Sequence, residues 1–227
     1  MRAIFLVRHG ETTWNRQKRV MGRREIPLNR VGIAQARRIA RLIPEIGVKA
    51  IYASPLTRAM ETARILANSA GLPVKTDIGL TEVAFGRWEG HLFRDLRRDK
   101  AYQRFVATPL ESAVPGGETI VDVQNRGLKA INKALKELPQ ARILFVSHGD
   151  VIRAVLCHFL GLPLEEYRQL RVDTGSLSGL ETDGDWAEVK FLNYLPDVAG
   201  LSRQPFDGLN PSRLKSRLRG RRDGHTR

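Results

Sequence analysis

A single cysteine in 227 residues leaves no partner for an internal disulfide, so the fold has to rest on a packed core and not on a covalent framework. That residue, Cys157, lies in the apolar stretch Val151-Ile152-Arg153-Ala154-Val155-Leu156-Cys157 and reads as core itself. Long hydrophobic runs are missing too: nowhere do about 18 apolar residues follow one another, as a membrane-spanning helix requires. The first apolar run, residues 3–7, is too short for the h-region of a signal peptide and is ended by Arg8. Together these absences predict a soluble protein without a transmembrane segment, in a reducing compartment, the cytoplasm. Acidic residues are also scarce, with 24 Asp and Glu against 38 Lys and Arg, a formal net charge of +14. Such a field attracts anionic small molecules without identifying one. Part of the excess is local: residues 201–227 hold eight Arg or Lys and two Asp, a net +6. No repeat or low-complexity block precedes this basic tail. The chain is 42% hydrophobic, enough for one α/β domain with a sizeable core, expected over residues 1–200.

Strand and helix signals alternate along that domain. The apolar run Ala3-Ile4-Phe5-Leu6-Val7 reads as a buried strand. Asn29 can cap a helix in which Ile33, Ala36, Ala40 and Ile43 fall at helical spacing while Arg37, Arg38 and Arg41 face outward, and Gly47 closes the unit. Ala50-Ile51-Tyr52-Ala53 reads as a second strand, followed by a turn and a helix ending at Gly71. Residues 82–117 are irregular and polar, with helix expected over about 93–106, and look like an insertion covering a site. A long helix over 118–138, a strand ending at His148 and a helix over about 151–160 follow. Residues 176–181 and 187–192 read as a hairpin with Asp183-Gly184 as its turn. The expected fold is α/β: a doubly wound, mostly parallel sheet flanked by helices, with the partly helical insertion over the site.

Two of these strands end in histidine. The first runs into Arg8-His9-Gly10-Glu11-Thr12, and Ile143-Leu144-Phe145-Val146 runs into Ser147-His148-Gly149. The ends of strands are where open α/β sheets place chemistry. A neutral imidazole is a competent nucleophile toward phosphorus, and neighbouring arginines both disfavour its protonation and bind the oxygens being transferred. Arg8 and Arg58, each just past a predicted strand, are the best-placed guanidiniums, and their planar forks of donors suit phosphate. An alkoxide leaves poorly, so an acid must protonate it, and Glu82 in Leu80-Thr81-Glu82 is the candidate.

These segments carry a resemblance. Arg8-His9-Gly10-Glu11-Thr12 with Trp14-Asn15, Ser54-Pro55-Leu56-Thr57-Arg58-Ala59, Leu80-Thr81-Glu82 with Gly86-Arg87-Trp88-Glu89-Gly90, Pro115-Gly116-Gly117-Glu118-Thr119 and Ser147-His148-Gly149 resemble, in this order, the histidine phosphatase superfamily of phosphoglycerate-mutase-like proteins. The likeness spans roughly residues 2–195. It implies a phosphohistidine intermediate on His9, a phosphate pocket from Arg8, Arg58 and His148 with Gly149, a contact from Asn15, and Glu82 as proton donor. It implies a small phosphorylated substrate, and neither cofactor nor metal is expected. Asp150 departs from the small residue that many members carry after His-Gly and puts a negative charge near an anion site.

The rival within this chemistry is a cofactor-dependent phosphoglycerate mutase, which would return the phosphoryl group to its substrate. Such mutases typically carry a longer, proline-clustered insertion before the Pro-Gly-Gly-Glu segment, whereas only Pro109 lies between Glu82 and Pro115 here; hydrolysis is favoured. Ser147 lacks the preceding glycine of a nucleophile elbow, since Phe145 stands there. A metal held by His9, His148 and Asp150 would be repelled by the arginines. From another class comes an anion- or partner-binding protein acting through its tail: residues 212–222 hold six basic residues with Leu214 and Leu218, suited to nucleic acid or an anionic surface. A solvated extension is the simpler reading, because no aromatic residues interleave the charges. His91 reads as a surface loop residue, His158 as structural on its helix and His225 as part of the tail. A homodimer is compatible with the sequence, which sets no oligomeric state.

Overall fold

The computed structural model describes residues 2–183 and 186–196. Its centre is a six-stranded sheet formed by β1 (Arg2–Arg8), β2 (Ala50–Ala53), β3 (Val74–Thr76), β4 (Arg142–Ser147), β5 (Leu177–Thr182) and β6 (Ala187–Tyr194), in the order β3-β2-β4-β1-β5-β6. The first four pair in parallel, and β5 and β6 add antiparallel at one edge. Helices α1 (Thr13–Arg16), α2 (Arg30–Ala40), α3 (Ile43–Ile46), α4 (Thr57–Ala70), α5 (Phe93–Leu96), α6 (Lys100–Ala107), α7 (Ile120–Glu137) and α8 (Gly149–Leu160) complete the described domain.

Alternation along the strands builds two cores. Ile4 and Leu6 of β1, Tyr52 of β2 and Phe145 of β4 pack with Ala130 and Ile131 of α7 and Ile152 and Val155 of α8. Val7, Ile51 and Val146 point the other way and pack with Ile39 of α2 and Ala59, Ala63 and Leu66 of α4. The outcome for the site is topological. β1 and β4 are neighbours, with Arg8 beside Ser147, yet the chain leaves β1 toward helices on one face and leaves β4 into α8 on the other. That divergence sets His9 and His148 side by side just past the ends of the two strands, the place where open sheets of this kind bind ligands.

Several boundaries differ from those expected. The helix expected over 93–106 is two helices, because Asp99 caps α6 by accepting from the Ala101 and Tyr102 amides at 2.7 and 3.2 Å. The helix expected from 118 starts at Ile120, since Thr119 and Asp122 form a capping box that leaves Glu118 outside. α8 begins at Gly149, directly after His148 and two residues before the expected start. Ile43 belongs to α3 and not to α2, and β3 and α1 lacked enough residues to register as periodic. The insertion is a layer with its own core, in which Phe85, Trp88 and Phe105 pack against Val151, Ala154 and Cys157 of α8. Cys157 is fully buried and its thiol is pushed up by burial. Both predicted hairpin strands form, but Gly184 of the predicted turn lies outside the described residues, as do the tail and His225. No described helix is long and apolar enough to cross a membrane.

Candidate functional site

The end of β1 is pinned on both sides. The His9 amide donates to the Ser147 carbonyl at 3.0 Å, and the Gly175 amide reaches the carbonyls of Arg8 and His9 at 3.1 Å. Gly10 meets α2 where that helix also carries a glycine: a Cβ on Gly10 would lie 2.4 Å from the Gly32 carbonyl oxygen, so only glycine lets the loop pass. The His9 ring is fixed in both orientation and tautomer. Its Nδ1 lies 2.7 Å from the Gly10 carbonyl oxygen and its Nε2 lies 3.3 Å from Nε of Arg58. A carbonyl can only accept and a guanidinium can only donate, so Nδ1 carries the proton and Nε2 presents its lone pair. Burial, then the charges of Arg58 and Arg8, hold the His9 pKa well below the ordinary imidazole range. The imidazole is therefore neutral at physiological pH.

Arg58, in the first turn of α4, is fully buried and, among the described residues, has no carboxylate partner within ion-pair distance. Its NH1 donates to the Arg24 carbonyl at 2.9 Å and its NH2 to the Gly22 carbonyl at 2.8 Å. Burial lowers its pKa to about 10, which leaves it charged at neutral pH. Arg8 donates through NH1 to the Val172 carbonyl at 2.7 Å. His148 caps the end of β4 with its ring centroid 5.1 Å from that of His9 and its Nε2 2.7 Å from the Ser54 hydroxyl. Burial, then Arg58, depress its pKa well below the ordinary value. Among the described residues three buried side-chain polar atoms have no hydrogen-bond partner: Arg8 Nε, His148 Nδ1 and Ser176 Oγ. Two of the three are here: Arg8 Nε can only donate, and His148 Nδ1 donates when its Nε2 accepts from Ser54, so an incoming acceptor relieves both.

Glu82 is 8% exposed, and its Oε1 accepts from the Val83 amide at 3.0 Å. Burial, then the negative charge of Asp150, push its carboxyl up to about 7, against the opposing pull of the Val83 amide, Arg58 and Arg8. Asp150 itself forms an ion pair with Arg153 at 2.9 Å. This departure from the family pattern thus acts on the acid, favouring its protonated form. A cavity of about 330 Å³ opens here, lined by Arg8, Asn15, Glu82, Phe85, Gly149 and Asp150 among others. His9, Arg58 and His148 are fully buried and do not line it. Asn15 spends its carbonyl oxygen on capping α1, where it accepts from the Thr12 amide and hydroxyl at 3.0 Å, while its side-chain NH2 has no partner among the described residues. Gly149 packs against Arg8, whose guanidinium carbon would lie 3.4 Å from an added Cβ. It opens α8, whose first amides supply further donors. Of the five aromatic residues in the insertion, Phe85 and Phe93 reach the cavity, whereas Trp88, Tyr102 and Phe105 pack in its core. His91 and His158 are exposed and outside it.

Four supporting residues escaped the sequence reading. Ser54 holds His148; Thr62 accepts from the Gly10 amide at 3.1 Å, one helical turn after Arg58, and so ties the two loops together. Arg126 donates to the carbonyls of Gly79, Thr81 and Glu82 while pairing with Glu118 at 2.9 Å, which fixes the backbone that carries Glu82. Ser54 and Glu118 lay inside recognised motifs, but Thr62 and Arg126 had no local signal. Among the described residues no cluster of three His, Cys, Asp or Glu side chains suits a metal ion.

The family model of the histidine phosphatase superfamily (branch 1) matches residues 4–195. "Probable phosphoglycerate mutase GpmB" of Yersinia pestis (strain Pestoides F) is 33% identical over 213 residues, 92% of this chain and 99% of that protein. The alpha-ribazole phosphatase of Shigella flexneri superposes with a TM-score of 0.77 at 29% identity, covering 85% of this chain and 96% of the other. The phosphoserine phosphatase of Entamoeba histolytica, solved with 3-phosphoglyceric acid, gives 0.77 at 28% identity, covering 86% and 98%. With the match running through both strand-end histidines and over most of the chain, this protein belongs to the histidine phosphatase superfamily, branch 1.

Proposed function

We propose that this chain hydrolyses small-molecule phosphomonoesters through a phosphohistidine on His9. The observation that carries the proposal is the pairing of two opposite tendencies within one site: an imidazole kept neutral with Nε2 unprotonated, and a carboxyl, Glu82, held up to about 7 so that a large share of it carries a proton near neutral pH. In the first step the Nε2–P bond forms as the ester P–O bond breaks, and Glu82 gives its proton to the leaving oxygen. In the second, water attacks phosphorus, its proton passes to Glu82, and the N–P bond breaks to release orthophosphate. Arg8, Arg58 and His148, with the amides that open α8, bind the three equatorial oxygens, and the Asn15 NH2 group adds a contact. The chemistry needs no metal or cofactor.

Hydrolysis is preferred to mutase action because only a 3-10 turn, Gly86–Trp88, and two short helices, α5 and α6, intervene between Glu82 and the Pro115 loop. The proposed roles are tested by stopping the reaction with a phosphorus-labelled ester in alkaline denaturant, in which an N–P bond survives. A label that is acid-labile and alkali-stable is expected on wild type and is expected to be missing from His9→Ala. Equal labelling of both proteins, or interconversion of 2- and 3-phosphoglycerate faster than phosphate release, would overturn this reading.

A further inference from the structure

Beside the catalytic cavity lies a second, larger one of about 530 Å³, and the two share Lys18, Arg19 and Phe93 as walls. The second is closed by Leu92, Arg94 and Arg97, and no carboxylate lines it. We propose that it is a distal anion subsite, and that the preferred substrates are phosphomonoesters carrying a second phosphoryl or phosphonate-like dianion at their far end, joined through a flat or apolar spacer. The inference rests on the proposed function for the near end of the substrate and extends it to the far end.

Charge and backbone both support this. Lys18 and Arg97 have no hydrogen bond or ion pair at their charged ends among the described residues, and Arg94 has only an exposed neighbour, Asp95, at 3.5 Å. Arg19 is already committed, stacked 5.4 Å over the Trp14 ring and donating to the Gly90 carbonyl, so it shapes the wall. Two uncompensated cations facing one concavity repel each other unless an anion sits between them. The backbone is built to hold them there. Lys18 adopts φ 55, a left-handed conformation that a non-glycine residue takes at a cost, and its carbonyl accepts from the Phe93 amide at 3.0 Å while Arg19 bridges to Leu92. The shared wall of the two cavities is therefore one paired segment, with Phe93, 40% exposed, offering a ring against which a flat spacer can lie. A substrate ending at the scissile phosphate would leave this wall unused.

The test compares 4-methylphenyl phosphate with 4-(phosphonomethyl)phenyl phosphate, which share the scissile ester and differ in the far-end dianion, together with the carboxymethyl analogue. The expected result is a kcat/KM about tenfold or more higher for the phosphonate than for the methyl compound, with the carboxylate between. That ratio should fall about tenfold in Arg97→Gln and in Lys18→Met, and shrink as salt is raised. Using a ratio within each protein separates loss of the subsite from poor folding. In parallel, calorimetric titration with para-xylylene bisphosphonate and benzylphosphonate reads the subsite without turnover. If no ester is hydrolysed but the bisphosphonate binds more tightly in an Arg97-dependent manner, the proposed function fails and the subsite stands. A ratio within twofold of one in wild type, or one unchanged in both variants, would overturn the subsite.

Discussion

Replacing Glu82 by glutamine should stabilise the protein while removing its acid, and the two effects can be read separately. The Glu82 carboxyl has an ordinary pKa of 4.5 and one of about 7 in the fold. A folded value raised above the unfolded one means that the unfolded chain ionises first as pH rises. The stability associated with the protonated carboxyl is complete below 4.5 and is lost progressively up to 7. At about 1.4 kcal/mol per pH unit, the full loss is about 3 kcal/mol. Glutamine keeps the neutral shape and cannot ionise, so Glu82→Gln should exceed wild type by about 3 kcal/mol at pH 8.5 and by less than about 1 kcal/mol at pH 5. Urea unfolding followed by tryptophan fluorescence at the two pH values measures the difference. The same variant should slow hydrolysis of alkyl phosphates by about 100- to 10,000-fold, and that of p-nitrophenyl phosphate far less, because nitrophenolate leaves without a proton. Wild-type turnover of alkyl esters should decline above pH 7 for the same reason. A stability gap that does not change with pH would show that Glu82 is not held protonated. Equal losses on both ester types would show that another group protonates the leaving oxygen.

Arg58→Ala should cost on the order of 100- to 1,000-fold in kcat, since it removes a preorganised donor to developing charge; near-normal kcat/KM would refute its placement beside Nε2 of His9. Arg126→Met should destabilise the fold by about 1–3 kcal/mol, by leaving the carbonyls of Gly79, Thr81 and Glu82 without their donor while Glu118 keeps only Arg23 as a cation partner; an unfolding midpoint equal to wild type would refute this. Deleting residues 203–227 should leave turnover of a small ester unchanged, because the family match ends at residue 195 and every proposed catalytic residue precedes 150. A folded but inactive truncation would bring the tail into the reaction. Comparing heparin retention of the two proteins asks separately whether the tail binds polyanions.

The strands that carry the histidines were legible because each is an apolar run ended abruptly by a charged or polar residue, and burial of both faces requires that pattern. Helix starts were less legible. A cap is one side chain choosing among several backbone amides, so Thr119 competed with Glu118, and Asp99 split a stretch whose apolar spacing continued across it. β3 is three residues long and takes its place only by pairing with β2. In the site, residues that sit in a strand-to-loop motif could be named from the sequence. Those that act from the middle of a helix could not: Thr62 and Arg126 look like ordinary helical residues until the fold brings the loops to them.

The protonation logic explains why sequence alone could not rank the arginines. All carry the same charge, and what separates them is the acceptor that each one finds. Arg126 bonds to the Glu118 carboxylate, so its charge is neutralised and its effect is to fix a loop. Arg8 and Arg58 bond instead to the carbonyls of Val172, Gly22 and Arg24, which satisfy N–H groups without cancelling a positive charge. Burying Arg58 in this way is costly, as its lowered pKa records, and the cost is the condition for the chemistry. A carboxylate partner would have cancelled the field that, added to burial, holds His9 neutral, and would have competed with the proposed phosphoryl oxygens for the same donors. The negative charge that the site does hold, on Asp150, stands where Arg153 pairs with it and where it raises Glu82, keeping a proton on the acid without neutralising Arg58. Carbonyl acceptors on the arginines and an offset aspartate are thus two parts of one arrangement, in which the proposed nucleophile, His9, is kept unprotonated at a pH where the proposed acid, Glu82, still holds much of its proton.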